Sequence, residues 1–408
     1  MASSRRGTPG LPRPLPDEDN LRALGRRAQR LGARAFLVGG PVRDLLLGRP
    51  SPDIDIAVDG APEEFGNDIA RAAGGRFVFH RRFLTGTVAL PGGAHIDISR
   101  TRTETYDRPA VLPRVRPAPV EADLARRDFT FNAMALDISP RGFGRLLDPL
   151  GGRRDLAAGK VRVIHDRSFV DDPTRAFRAV RFAVRLGFDI EPGTLALMRR
   201  AVAEGLPSLL TPERVLYELR LVCAEPLVLP MAEALQRERL LAACFGRPPA
   251  AGLLAGLHRL SSGGAPPPLL FVFVLSRLPV TDRFPVTRDE RDSAGLVARF
   301  APLRRRLARA RRPSTVHRIL RDLPGTGLRV LARLERGAVG RAIDRYLRTL
   351  AGVRSEVTGR DLRALGLPPG PGFALVLDRL LAARLDGRVR DREAELALAR
   401  RLVGRLER

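Results

Sequence analysis

Two aspartates one residue apart, Asp53 and Asp55, alternate with Ile54 and Ile56 in the stretch 37-LVGGPVRDLLLGRPSPDIDIAV-58. On a strand, successive side chains point to opposite faces, so both carboxylates share one face and both isoleucines the other. Carboxylates that close repel unless a cation lies between them. Mg²⁺, a hard ion that prefers oxygen ligands and substrate phosphates, is their natural partner. A second alternating run, 95-HIDIS-99, offers Asp97 between Ile96 and Ile98. Three carboxylates on adjacent strands would hold two metal ions for in-line phosphoryl transfer. A D-x-D pair alone also serves as a solubility device on edge strands. The third aspartate and the upstream Gly39-Gly40 favour the functional reading. Those glycines end a strand and lead into a helix, so bare backbone N–H groups can approach a phosphate, with Arg43 one turn in.

The rest of the chain divides by its periodicity. From about 20 to 150, strand-like runs at 35–38, 53–58, 76–80, 87–90 and 95–99 mix with helix-like segments at 21–31 and 41–47. Beyond about 150 the strand signals almost vanish, and helices are broken by Pro/Gly loops such as 246-GRPPAAG-252 and 366-GLPPGPG-372. The pattern predicts a small α/β head followed by a long helical body. The first 19 residues read as a disordered leader. No apolar run approaches the roughly 18 residues of a membrane span, which excludes a membrane partner. Cys223 and Cys244 have no C-x-x-C spacing, which argues against a disulfide scaffold or a cysteine zinc site and suits the cytoplasm. The net charge of +26 points to a polyanion such as nucleic acid. Only one of the 71 Lys and Arg residues is a lysine, Lys160, so an arginine-favouring GC-rich composition accounts for part of that charge.

Several blocks follow in a fixed order. G-G-x-V-R-D-L-L-L-G-R…D-I-D-I-A at 39–57 is joined by 126-RRDFTFNAMALD-137, 148-DPLGGRRDL-156, 171-DDPTRAFRAVRFAVRLGF-188 and 211-TPERVLYELR-220. Together they resemble the bacterial tRNA nucleotidyltransferase (CCA-adding enzyme) and poly(A) polymerase family, within the polymerase-β-like superfamily, over roughly 37–225. The resemblance implies an α+β fold: a polymerase-β-like nucleotidyltransferase head with a small mixed sheet, then an all-α neck, body and tail. The corresponding expected boundaries are head 20–150, neck 151–225, body 226–345 and tail 346–408. In the tail, 359-GRDLRALGLPPGPGFALVLDRLLAARLDGRV-389 resembles an element of many CCA-adding enzymes. Its Phe373, Val376, Leu377 and Leu380 form an apolar helical stripe.

Residue types suit the chemistry that the resemblance implies. Arg126 and Arg127 offer guanidinium forks for phosphate, and Asp128 an acceptor for a ribose hydroxyl. Arg175, Arg178, Arg181 and Arg185 fall on one third of a helix, opposite Phe177, Val180 and Val184. Such a stripe is either a solvated face or a nucleotide-binding one. In the resembled family the D-x-x-R pair, here Asp172 and Arg175, reads the Watson–Crick edges of CTP and ATP in place of a template. Arg178 and Arg181 then fit nucleotide contacts. Asp171 stands where the family usually has Glu. The implied enzyme adds CMP and AMP to the 3′ end of tRNA, with Asp53 and Asp55 holding two Mg²⁺ ions, Asp97 as third carboxylate, and Gly39, Gly40 and Arg43 at the triphosphate. The acceptor stem and 3′ end of tRNA are the expected partner. The alternatives are a CC-adding or A-adding enzyme or a poly(A) polymerase of the same family, and, from another class, a non-catalytic RNA-binding protein. His165-Asp166 lacks the further metal-spaced histidines of an HD phosphohydrolase and reads as structural.

Overall fold

The computed structural model describes residues 11–12, 15, 17–49 and 53–406, so most of the expected leader lies outside the described residues. Within that segment Leu15 is buried and the first helix, α1 (Glu18–Arg30), has already begun. The chain divides into two compact units, Met1–Glu218 with Pro230–Pro248, and Leu219–Leu229 with Pro249–Arg408.

The first unit is built on a seven-stranded sheet. β1 (Ala35–Val38) is buried along its whole length, as its sequence AFLV requires. It leads through Gly39 into α2 (Gly40–Leu46), and the chain returns as β2 (Ile54–Val58). Then follow α3 (Pro62–Ala73), β3 (Arg76–His80), β4 (Thr85–Ala89) and β5 (His95–Arg100). A separate ribbon pairs β6 (Arg102–Thr105) with β7 (Arg114–Pro117). After α4 (Val120–Ala125), β8 (Ala135–Asp137) and β9 (Arg145–Leu147) complete the sheet, in the order β3-β4-β5-β2-β1-β8-β9. The parallel pairing of β2 with β5 sets Asp55 beside Asp97 and Ile56 beside Ile98. Phe36, Val38, Ala57, Val120, Leu124, Ala133 and Ala135 form one buried cluster beneath the sheet.

The helices that follow are α5 (Gly152–Ala158), α6 (Ser168–Asp171), α7 (Thr174–Leu186), α8 (Pro192–Ala203) and α9 (Pro212–Ala224). Between them, β10 (Lys160–Val161) and β11 (Asp189–Ile190) make a short parallel pair, a strand signal too brief for periodicity to reveal. α7 stops at Gly187, whose left-handed φ of 68° closes the helix. Phe182 on this helix meets Phe129 and Phe131 edge-to-face, with centroids 5.8 and 5.5 Å away. These aromatic contacts dock α7 on the RRDFTFNA segment. α10 (Val228–Arg237) and α11 (Leu240–Phe245) come next.

In the second unit the described residues add α12 (Leu253–Ser262), α13 (Pro267–Arg277), α14 (Arg288–Ala298), α15 (Ala301–Arg309), α16 (Pro313–Leu320), α17 (Gly325–Leu334) and α18 (Gly337–Arg348). They end with α19 (Gly359–Ala364), α20 (Pro371–Leu385) and α21 (Arg392–Val403). α13 is buried from Leu269 to Leu275 and forms the centre of this unit. The stripe expected near the C-terminus packs as read: Val376 and Leu380 join Leu362, Ala399 and Leu402 in one cluster, with Phe373 and Leu377 against it. No helix among the described residues is long and apolar enough to cross a membrane.

Candidate active site

A cavity of about 350 Å³ in the first unit gathers residues from motifs far apart in sequence. Gly39, Gly40 and Asp55 line one part of it, Arg126, Arg127 and Asp128 another, and Asp172, Arg175 and Arg178 a third. Arg43, Arg181, Asp53 and Asp97 are not among its lining residues.

Gly39 has φ 73° and ψ −128°, a conformation that favours glycine. Space forbids a side chain there as well, because a Cβ would come within 2.8 Å of Arg127 Nη1 and 4.0 Å of Asp55 Oδ2. The turn therefore presents bare backbone next to one guanidinium and one carboxylate. Burial, then the neighbouring Asp97 carboxylate, push the pKa of Asp55 up to about 6, against the pull of Arg127, while Asp53 adds to the rise. Thr87 Oγ1 donates to Asp97 Oδ1 at 2.6 Å. Asp53 is exposed just ahead of β2. Among the described residues no three carboxylate, imidazole or thiol groups form a closed metal cage. Mg²⁺ usually takes one or two carboxylates and completes its shell with water and substrate phosphates. Asp53 and Asp55, with Asp55 strained by like charges, fit that requirement.

Arg43 is buried, and each of its three guanidinium nitrogens donates one bond inside the protein. Nε and Nη2 donate to Asp44 at 2.9 and 2.7 Å, and Nη1 to Asn132 Oδ1 at 2.9 Å. Asn132 Nδ2 in turn donates to Asp128 Oδ1 at 3.1 Å, and Arg178 Nε to Asp128 Oδ2 at 2.8 Å. A continuous hydrogen-bonded chain thus runs from α2 through Asn132 and Asp128 to α7. Burial alone would raise the pKa of Asp128, but Arg178 and Asn132 hold it below the usual carboxylate range.

The two arginines of the RRD motif share acids. Arg126 donates to Asp123 through Nε and Nη2 and to Glu104 at 2.6 Å, and Arg127 Nη2 donates to Asp123 at 3.0 Å. Arg175 Nη1 donates to Ser168 Oγ at 2.7 Å and Nη2 to the Arg126 carbonyl at 2.8 Å. Asp172 Oδ1 accepts from Thr174 N, Thr174 Oγ1 and Arg214 Nη2, at 3.0, 2.6 and 2.6 Å. Arg181 pairs with the buried Glu218 at 2.9 Å. Burial keeps the Glu218 carboxyl above its usual range even with Arg181 beside it. The arginine stripe of α7 is therefore largely interior: Arg175 and Arg181 are buried, Arg178 is partly so, and Arg185 alone of the four is exposed.

Sequence reasoning did not assign Glu104, Tyr106, Asn132, Arg214 and Glu218 to the site. Arg214 and Glu218 fall in the quoted 211-TPERVLYELR-220 block, one helical turn apart, which was the available signal. Glu104 and Tyr106 lie outside every block with a residue-by-residue motif match.

Known proteins resemble the chain in sequence and in fold. A family model described as the poly A polymerase head domain matches residues 35–162. An A-adding tRNA nucleotidyltransferase of Geobacter sulfurreducens is 34% identical, over 96% of this chain and 47% of its own length. An A-adding tRNA nucleotidyltransferase of Halalkalibacterium halodurans is 32% identical, over 93% of this chain and 91% of its own. A CC-adding tRNA nucleotidyltransferase of Deinococcus radiodurans is 35% identical, over 90% and 89% respectively. The chain thus spans about half of the Geobacter protein and most of the other two. Among solved structures, a CCA-adding enzyme in an apo form matches with TM-score 0.78 and 31% identity, over 93% of this chain and 94% of that one. The Thermotoga maritima CCA-adding enzyme complexed with tRNA matches with TM-score 0.73 and 29% identity, over 95% of each chain. The chain belongs to the tRNA nucleotidyltransferase family.

Proposed function

We propose, from that membership, that the chain adds CMP and AMP to the 3′ end of tRNA from CTP and ATP, without a nucleic-acid template. The observation that carries the reading is the single cavity lined both by Gly39, Gly40 and Asp55 and by Asp172, Arg175 and Arg178. The reaction is attack of the RNA 3′-hydroxyl on the α-phosphorus of the nucleotide, with loss of pyrophosphate. Asp53 and Asp55, with Asp97 supporting Asp55 from the neighbouring strand, would hold Mg²⁺, which when bound stabilises charge on the phosphoryl oxygens. Bare backbone at Gly39 and Gly40 receives the triphosphate, and Arg127 supplies a cation beside it. Arg43 shapes this turn from within α2 rather than touching substrate.

Base choice falls to Asp172 and Arg175. The bonds from Thr174 N, Thr174 Oγ1 and Arg214 Nη2 all converge on Asp172 Oδ1. Its Oδ2 is the acceptor for the exocyclic amine that cytosine and adenine share. Each terminal nitrogen of Arg175 keeps a second N–H for a ring nitrogen or carbonyl, since a guanidinium carries five donors. We assign the nucleotidyltransferase head to 20–150, the base-selecting neck to 151–225, and RNA contact to the body and tail, 226–345 and 346–408.

Addition of A alone is the second reading, favoured by the A-adding names of two of the relatives. The test offers tRNA transcripts ending before CCA, after C and after CC, plus an unrelated RNA, with CTP and ATP singly and together. Stepwise completion of CCA supports the first reading, and addition only after CC the second. Long A-tails on any RNA would indicate a poly(A) polymerase. No incorporation on any transcript with Mg²⁺ present would leave a non-catalytic RNA-binding protein.

A further inference from the structure

The second unit holds its own cavity, of about 360 Å³, which none of the sequence motifs reaches. Three arginines border it, Arg259, Arg277 and Arg304, against one acid, Glu335. Arg304 Nε donates to Glu335 at 2.9 Å, so that acid is already paired. Arg259 Nη1 donates to the Leu334 carbonyl at 2.5 Å.

Arg277 differs from both. Its guanidinium lies over the Phe273 ring, 5.1 Å from the centroid. Its Nε is buried with no hydrogen-bond partner among the described residues. Burial, unopposed by any carboxylate, pulls its pKa below the ordinary arginine value. A cation in the last turn of α13 is favourable in itself, which accounts for the charge. It does not account for a buried donor with no acceptor, a state that folded proteins rarely leave uncompensated.

The rest of the wall suits an anion. α12 begins here from Gly252, at φ 85° and with no side-chain cap, so its first turn carries N–H groups unscreened by any capping side chain. Gly256 on the following turn has no space for a Cβ, which would stand 2.0 Å from the Phe273 ring. The start of α12 is thereby held flush against the ring that carries Arg277.

We propose that this cavity is a phosphate-binding subsite. Arg277 donates to the phosphoryl oxygens, Phe273 fixes the guanidinium plane, and the first turn of α12 completes the anion cradle. The phosphoryl group comes from an RNA backbone or from a free nucleotide, which present the same chemistry. The inference rests on the second unit alone; only the choice of RNA as one source draws on the proposed function.

The test uses the full chain without Mg²⁺ or nucleoside triphosphates, so it reads nothing of the transfer reaction. A tRNA transcript lacking its 3′ CCA is titrated by fluorescence anisotropy between about 50 and 200 mM salt. Inorganic phosphate, CMP and the transcript are each followed at the Arg277 Nε–H resonance, assigned by its loss in Arg277→Met or Arg277→Lys. Binding of the transcript about tenfold weaker in Arg277→Met, with a salt slope reduced by about one, is the result expected of an RNA phosphate contact. Arg277→Lys, which keeps the charge, should fall between. A resonance that shifts only with the transcript identifies the RNA backbone as the source, and one that shifts with phosphate or CMP identifies a small anion. A resonance that ignores all three probes overturns the proposal. Should Arg277→Met fail to fold, the wild-type resonance and Arg277→Lys still decide.

Discussion

The same residue does opposite work in the two units. Around the first unit's cavity the arginines are buried or half-buried and bonded: Arg43 to Asn132, Arg178 to Asp128, Arg181 to Glu218. On α15 of the second unit, Arg305, Arg306 and Arg309 are exposed to solvent. Guanidinium groups bonded inside the protein fix distances because their acceptors hold them in place, whereas exposed ones contribute a field that attracts a polyanion without defining its position. The net charge of +26 sums both kinds and so says little about either.

The largest effect should come from the acids that these cations face. Asp55→Asn is expected to lower nucleotide incorporation about 10³-fold while leaving tRNA affinity near wild type, measured by labelled CMP or AMP transfer and by anisotropy. Equal losses in both assays would mean that Asp55 supports the fold and not the reaction.

Next in size is the buried pair. Arg181→Met removes one partner and strands the Glu218 carboxylate, with an expected cost of about 3–5 kcal/mol in urea unfolding. Should it cost no more than a surface arginine, the contrast between the units collapses.

The pH dependence is smaller. With its folded pKa raised to about 6 from 3.8, ionised Asp55 destabilises the folded chain above pH 6, and that cost fades as pH falls toward the unfolded value. The cost is at most about 3 kcal/mol, less what solvent screens at this half-buried group. Mg²⁺ should therefore raise the melting temperature more at pH 7.5 than at pH 5, by differential scanning fluorimetry. An equal shift at both pH values would place the ion elsewhere.

Smallest of all, Arg305→Ala should change stability by no more than about 0.5 kcal/mol. If it contacts RNA, the salt slope of tRNA binding drops by about one; otherwise the slope is unchanged.

The sheet was readable because alternation at 53–58 and 95–99 has only one buried solution, and β2 and β5 adopt it with Asp55 beside Asp97. The ordered blocks likewise placed Gly39, Asp128, Asp172 and Arg175 close enough to share one cavity. Less readable was which cations stay available. Arg178 and Arg181 look alike on a helical wheel, and their acceptors lie 50 and 37 residues away. Nothing local to Arg43 announces its bond to Asn132, 89 residues further on. Local spacing reports which side of an element a residue occupies, but not which distant group will neutralise it.

The chain of bonds from Arg43 through Asn132 and Asp128 to Arg178 works as a strut between two ends of the cavity. α2, which presents the glycine turn, and α7, which begins beside Asp172, cannot shift independently without breaking a charge-assisted bond in the protein interior. On the proposed roles, grip on the phosphates and choice of the base would be geared together. A substitution that retunes one end is transmitted to the other, so altering nucleotide preference without disturbing catalysis calls for changes outside this strut, at Arg214 or in the segment carrying Ala110 that it braces.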